Sequence, residues 1–284
     1  MTDPASPRPA LTDRTALIRQ RDRARGAGLA DLFHQIAADE IQDRLAEVNR
    51  TFTDPAVVTG FPDLWAPRFP GARVVADEPV LDLAPGAHDL VIHALSLHWA
   101  DDPVGQLVQS ARALRPDGLF IGVMFGGQTL AEPRAALARA EAEITGGLSP
   151  RILPMAEIRD LGGLLSRAGL ALPVADLLPQ RASYRDLIHL GRDLRAMGEG
   201  NALAARLRHP TRRAVLARAA AILAQDSPDR DDPSRVAVSF DLVFLTGWAP
   251  SDSQPRPLRP GSAQKSLADA LAELSKDTPR KQTP

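Results

Sequence analysis

Asp89–Gly127, which reads DLVIHALSLHWADDPVGQLVQSARALRPDGLFIGVMFGG, is the stretch that decides the fold of this 284-residue chain. Its two apolar runs, 89–97 and 119–125, predict buried strands, and the segment between them predicts a helix and then a Gly-containing turn at 115–118. A strand, a helix and a second strand in this order form a right-handed parallel crossover. Ligands of an open α/β sheet bind outside the carboxyl ends of such strands, so His98 and Trp99 are predicted to lie beside a binding site.

The composition excludes several functional classes. The chain has no cysteine, which rules out disulfides, thiolate zinc sites and cysteine nucleophiles. Its formal net charge of -1 argues against nucleic acid as a partner, because phosphate binding needs clustered positive charge. The apolar runs are too short to span a bilayer, and the first residues lack the apolar core of a secretory signal. We therefore expect a cytoplasmic protein without a transmembrane segment.

The pattern along the chain predicts one α/β domain over residues 15–250. Residues 1–14 and 251–284 are rich in proline and polar residues, which predicts a disordered N-terminus and a largely disordered C-terminal tail. Helical periodicity over about 184–224 predicts a helical insertion. Further strands are predicted at Ala56–Thr59, Arg73–Ala76 and Val236–Trp248, and a short strand, weakened by Pro173, is predicted at Leu170–Val174.

A basic segment precedes the first predicted strand. Five arginines lie between Arg14 and Arg25. Asp13 and Asp22 interrupt this charge, which disfavours a transit peptide or a membrane-surface helix. We interpret the segment as a helix with a solvated face.

Several motifs resemble those of one large superfamily. Asp89–Val91, Leu97–Trp99 and Arg112–Gly118 resemble the middle strands of class I S-adenosylmethionine-dependent methyltransferases. A second group of motifs is similar to bacterial relatives of the mitochondrial complex I assembly factor of methyltransferase fold. These motifs are Met124–Leu130, Gly146–Arg151, Arg159–Gly169, Asp193–Glu199 with Asn201, Gly247–Trp248 and Gly261–Ala263.

The resemblance implies a fold, a cofactor and a partner. The fold is a class I methyltransferase-like, Rossmann-like sheet of seven strands, mostly parallel with one antiparallel strand, and the cofactor is S-adenosylmethionine. Members of this family hydroxylate an arginine on a complex I subunit, so a complex I subunit is the implied partner. By resemblance, Asp77 would accept a hydrogen bond from the adenine amino group, and Leu95 and Ser96 would face the cofactor.

The chain departs from the family where the cofactor should be held. Only 12 residues separate Gly60 from Arg73. In the family, two crossover connections and a strand occupy this stretch, and each crossover takes at least about 10 residues. The sheet is therefore predicted to be truncated around its second strand. Gly60 is all that remains of the Gly-rich loop, and the acid that binds the ribose is missing.

The remaining candidate residues each have two interpretations. Asp77 could bind adenine or cap a turn, while Leu95 and Ser96 could line a cofactor site or belong to the core. His98 could act as a general base, because its ordinary pKa lies near neutrality, or serve a structural role. Trp99 could stack on a ligand or fill the space that the missing segment leaves. No histidine spacing indicates a metal site.

Two functional hypotheses follow. In the first, the cofactor site is degenerate and the protein assists complex I assembly by binding a subunit. In the second, it is an active methyltransferase or protein arginine hydroxylase with a rebuilt pocket that uses Asp77, Ser96 and His98. For partner binding, six arginines of the segment Tyr184–Arg213 form a candidate basic surface for an acidic protein, and they also allow peripheral membrane contact. They are Arg192, Arg195, Arg206, Arg208, Arg212 and Arg213.

Overall fold

The computed structural model describes residues 10–254. Of the termini predicted to be disordered, residues 1–9 and 255–284, with the motif Gly261–Ala263, lie outside the described residues. For residues 10–14 the prediction is wrong, because Thr12 is buried and Asp13 caps the first helix. One compact unit ends at Ser251. The helices are α1 (Arg14–Ala27), α2 (Leu32–Glu47), α3 (Pro62–Trp65), α4 (Pro103–Ala113), α5 (Ala131–Thr145), α6 (Ile158–Arg167), α7 (Leu187–Ala196) and α8 (Arg213–Asp226). The strands are β1 (Pro55–Thr59), β2 (Arg73–Val75), β3 (His88–Ala94), β4 (Leu114–Gly126), β5 (Ala171–Tyr184) and β6 (Val236–Trp248).

The strands form one sheet in the order β2-β1-β3-β4-β6-β5. β1 pairs in parallel with β2 and β3, and β3 pairs in parallel with β4. β6 runs antiparallel to both of its neighbours, β4 and β5. The predicted α/β sheet with one antiparallel strand is therefore confirmed. Of the seven strands that the resemblance implied, six are present in the described part of the chain.

The crossover from β3 to β4 has the predicted order of elements. After β3 a short 3₁₀ helix, Leu97–Trp99, precedes α4. The Asp102 carboxylate accepts a hydrogen bond from the Gly105 amide at 2.8 Å, and Pro103 is the first residue of α4, so this helix begins with a standard cap. The predicted turn at 115–118 lies inside β4 as an irregularity, where Asp117 has a φ of 62°.

The sheet is short on the side of β1 and β2. β2 pairs directly with β1, with Ala56 opposite Arg73, and only the four-residue α3 lies in the connection between them. The connection packs through aromatic side chains. Trp65 stacks on Phe69 at a centroid distance of 6.0 Å, and its indole N–H donates to His34 Nδ1 at 3.0 Å. Aromatic rings thus fill the connection between β1 and β2.

The elements of the C-terminal half differ in length from those that the sequence predicted. The sequence indicated a short strand ending near Val174, whereas β5 continues to Tyr184. α7 and α8 lie between β5 and β6 and form the predicted insertion, but the break between them extends over residues 197–212. Within residues 10–254, no helix combines the length and the apolar character needed to cross a bilayer.

Candidate functional site

The candidate residues meet at one edge of the sheet. Gly60 follows β1, Asp77 follows β2, and Leu95 and Ser96 follow β3. These strands are parallel neighbours, so their carboxyl ends lie side by side. The structure therefore brings together the residues that the resemblance assigned to a cofactor.

A side chain from α1 occupies the space next to Gly60. A Cβ built on Gly60 would lie 2.2 Å from the Nη1 atom of Arg21. Only glycine leaves room for this approach, because it has no Cβ. The guanidinium also lies 5.6 Å from the centroid of the Phe61 ring. The loop after β1 is thus packed against an arginine of the same chain.

The same arginine binds Asp77. Arg21 Nη1 donates to the two carboxylate oxygens of Asp77 at 2.8 and 3.0 Å, and both side chains are buried. Arg14 adds longer contacts at 3.4 and 3.5 Å. Burial alone would raise the pKa of Asp77, but the charges of Arg21 and Arg14 outweigh it and hold that pKa below its ordinary value. The interpretation of residues 14–25 as a solvated face is wrong for Arg21.

Little space remains around Asp77. A cavity of about 120 Å³ lies among Arg14, Asp77, Trp99 and Gln106. Pockets for drug-sized ligands measure about 300–1,000 Å³. Because the Arg21 guanidinium lies against Gly60 and binds Asp77, these residues do not fit S-adenosylmethionine in the arrangement that the structure shows.

Leu95 and Ser96 are buried at the end of β3. Leu95 has a φ of 46°, a left-handed conformation that is strained for a residue with a large side chain. Ser96 Oγ lies 3.4 Å from His93 Nδ1, and His93 Nε2 lies 3.1 Å from Gln106 Oε1. Burial lowers the pKa of the His93 ring. In the structure, these side chains are packed inside the protein.

His98 belongs to a buried polar cluster with Glu199. Its Nε2 atom lies 3.2 Å from Glu199 Oε2, and the indole N–H of Trp99 donates to the same oxygen at 2.7 Å. Burial would raise the pKa of Glu199, but the His98 ring, Arg21 and the Trp99 hydrogen bond hold it below its ordinary value. Nδ1 of His98 is buried without a hydrogen-bond partner. The sequence did not single out Glu199 as a site residue, although it lies in the quoted motif Asp193–Glu199.

A larger cavity lies on the other side of Trp99. Its volume is about 500 Å³, and its walls come from α5, α7, α8, the ends of β4 and β6, and the loops around Leu153 and Glu199. Trp99 lines both this cavity and the small one beside Asp77. Both interpretations of Trp99, stacking on a ligand and filling space, stay predictions.

Comparisons with known proteins give the family context. No protein-family model matches the chain. It is 39% identical over 207 residues to Arginine-hydroxylase NDUFAF5, mitochondrial, from Danio rerio, which covers 73% of this chain and 63% of that protein. It is 33% identical over 190 residues to Malonyl-[acyl-carrier protein] O-methyltransferase from Laribacter hongkongensis, which covers 67% of this chain and 61% of that protein.

A solved structure is similar at lower identity. It is a SAM-dependent methyltransferase from Thermotoga maritima, with a TM-score of 0.42, 10% identity and coverage of 83% of this chain and 99% of that one. The chain spans less than two thirds of the length of the two curated relatives described above. With its class I methyltransferase-like fold, the chain is a relative of the NDUFAF5 arginine-hydroxylases.

Proposed function

We propose that this methyltransferase-fold protein has a degenerate cofactor site and assists respiratory complex I assembly by binding a subunit. The observation that carries the proposal is the position of Arg21, which lies against Gly60 and pairs with Asp77. The two positions that would receive the cofactor are engaged by the chain itself. The relation to NDUFAF5 supports the link to complex I.

The surface of the helical insertion supports a binding role. Of the six arginines on the candidate basic surface, Arg206 and Arg208 pair with Asp13, 2.9 and 3.0 Å away. The other four are exposed and have no ion pair in the part of the chain that the structure describes. These four are Arg192, Arg195, Arg212 and Arg213. They offer positive charge to an acidic segment of a partner subunit.

Calorimetric titration of the full chain with S-adenosylmethionine or S-adenosylhomocysteine tests the cofactor half of the proposal. We expect no measurable heat up to millimolar cofactor. Micromolar binding by the unmodified protein would contradict a degenerate site. Arg21→Ala removes the guanidinium from the site, and Arg23→Ala changes an exposed arginine of the same helix. If Arg21 is the obstruction, weak binding should appear with Arg21→Ala and not with Arg23→Ala.

Affinity capture from the cells that produce the protein tests the binding half. We expect a tagged full chain to enrich a complex I subunit in quantitative mass spectrometry. Changing Arg192, Arg195, Arg212 and Arg213 together to glutamate should reduce that enrichment, because the variant would repel an acidic partner. Failure to enrich any complex I subunit over an unrelated tagged protein would count against the proposal.

A second candidate function is catalysis. The buried His98–Glu199 pair beside a cavity of about 500 Å³ favours it, because an acid–base pair next to a pocket is a common catalytic arrangement. Complementation of a strain lacking the gene distinguishes the binding function from catalysis. Restoration of complex I activity by His98→Gln, at normal protein level, would support binding. Loss of complex I activity with a normally folded His98→Gln variant would support catalysis.

A further inference from the structure

The large cavity is predominantly apolar. Leucine, isoleucine, methionine, phenylalanine and proline side chains supply most of its wall. A volume of about 500 Å³ lies within the range of sites that enclose a small molecule. A chain-like apolar ligand would gain free energy there in proportion to the surface that it removes from water.

Most polar side chains of the cavity wall are already bonded within the protein. Glu199 accepts from Trp99 and contacts His98, as described above. Thr129 Oγ1 donates to the Asp241 carbonyl and accepts from the Asp241 amide. Arg151 binds Glu141 and Thr211, and Asn201 bonds to Pro150 and Leu203. These groups have their main hydrogen-bonding needs met without a ligand.

Two arginines of the wall differ from the rest. Arg192 and Arg195 line the cavity, are exposed, and have no carboxylate within ion-pair distance among residues 10–254. They are three residues apart on α7, so they share one face of that helix. Ile188, which is 46% exposed, lies on the same face and also lines the cavity. The rim is thus cationic where the interior is apolar.

We propose that this cavity binds a small amphipathic anion, with an aliphatic chain in the apolar interior and a carboxylate or phosphate on Arg192 and Arg195. Guanidinium groups bind such anions through charge-assisted hydrogen bonds. A free fatty acid and the acyl chain and headgroup of a phospholipid share this chemistry. The site is a different cavity from the small one beside Asp77, with Trp99 in the lining of both.

Titration of the full chain with dodecanoate, dodecan-1-ol and dodecyltrimethylammonium, each below its micelle concentration, tests the assignment. We expect dodecanoate to bind most tightly. Arg192→Gln with Arg195→Gln should weaken dodecanoate binding roughly tenfold or more and leave dodecan-1-ol nearly unchanged. The matched control is Arg212→Gln with Arg213→Gln, an exposed pair outside the cavity wall, which should leave the affinity for dodecanoate unchanged.

A cavity-filling variant tests where the chain lies. Gly191 lines the cavity, and a Cβ built on it meets no atom within 4 Å, so the side chain of Gly191→Phe starts in open space, and we expect its ring to occupy the cavity. We expect it to abolish dodecanoate binding without lowering the thermal midpoint. Normal dodecanoate affinity in this variant would overturn the proposed location.

Native mass spectrometry of the purified protein distinguishes the sources. A bound mass that matches a fatty acid or a phospholipid would support the proposal and name the source. Equal affinity for dodecanoate and dodecan-1-ol would overturn the role of the anion. Absence of binding by every amphiphile, with subunit capture that still requires Arg192 and Arg195, would assign this rim to the protein partner instead.

Discussion

The Arg21 side chain lies between Gly60 and Asp77 at the carboxyl ends of the parallel strands. It is buried, and its partner Asp77 lies 56 positions along the chain. Two of its nitrogens, Nε and Nη2, are buried without a hydrogen-bond partner, which makes the guanidinium costly to keep in place. The ion pair with Asp77 therefore offsets part of the cost of burying this charge.

Removing one partner of this pair should destabilise the fold. Arg21→Met leaves the Asp77 carboxylate buried with only the longer contacts from Arg14, and we expect a loss of about 3 kcal/mol in the free energy of unfolding. Urea denaturation measures this loss. The double variant Arg21→Met with Asp77→Asn should lose less, because it leaves no buried unpaired charge. An equal or larger loss in the double variant would contradict an energetically coupled pair.

At the scale of elements, the spacing between α1 and the end of β1 depends on Gly60. α1 is also tied to later parts of the chain. The Asp101 carboxylate accepts from the amides of Leu11 and Thr12, just before α1, and the Thr12 hydroxyl donates to the Trp99 carbonyl. α1 thus connects the site at β1 with the segment that contains His98 and Trp99.

Two glycine-to-alanine changes should have opposite effects. Gly60→Ala would force Arg21 to move from its pairing with Asp77, and we expect a loss of about 1–3 kcal/mol in the free energy of unfolding, as for an overpacked core. Gly163→Ala, at an exposed position of α6 with open space, should gain about 0.5–1 kcal/mol through helix propensity.

The control for Gly60→Ala is the same change made in a protein that lacks the Arg21 side chain. Combined with Arg21→Ala, Gly60→Ala should cost much less, because the atoms that it would meet are gone. Chemical denaturation of the unmodified protein, the two single variants and the double variant gives the coupling free energy between positions 21 and 60. An unchanged cost in the Arg21→Ala background would show that Gly60 is needed for another reason.

At the scale of the whole molecule, much of the fold could be predicted and the decisive contacts of the site could not. The apolar runs predicted β3, β4 and β6 because uninterrupted burial leaves a local pattern. β5 was predicted too short because Pro173 weakened the strand pattern, whereas an edge strand tolerates proline.

The site contacts depend on residues that are far apart in the sequence. The Arg21–Asp77 and His98–Glu199 contacts join segments 56 and 101 residues apart, and neither pairing has a local signature. The quoted motif that contains Glu199 was a signal of its importance, but only the fold reveals its partner. The short link between Gly60 and Arg73 predicts a degenerate cofactor site, which stays a prediction, and it gave no sign that Arg21 would pack against Gly60.

Global stability should fall as the solution is acidified through the range of the buried histidines. His34 accepts a hydrogen bond from Trp65, and burial lowers the pKa of its ring to about 4 from an ordinary 6.5. Below pH 6.5 the unfolded chain binds a proton that the folded chain does not, so this stability is present above pH 6.5 and is lost towards pH 4. The loss from His34 should reach about 3 kcal/mol.

Denaturation curves between pH 7 and pH 5 measure this dependence. His34→Gln keeps an acceptor for Trp65 without a titrating ring, so its stability should vary less with pH over that range. His93, whose pKa burial also lowers, should leave a residual slope in the same direction. An unchanged slope in His34→Gln would contradict the assignment.

Because Arg21 is part of the chain, its binding to Asp77 does not depend on the concentration of a free ligand. A dissociable ligand stabilises a fold only in proportion to the logarithm of its concentration relative to its dissociation constant. Arg21 is covalently part of the protein, so its effective concentration at Asp77 is fixed by the fold and cannot be diluted. The stabilisation that this contact gives therefore does not vary with the supply of any metabolite.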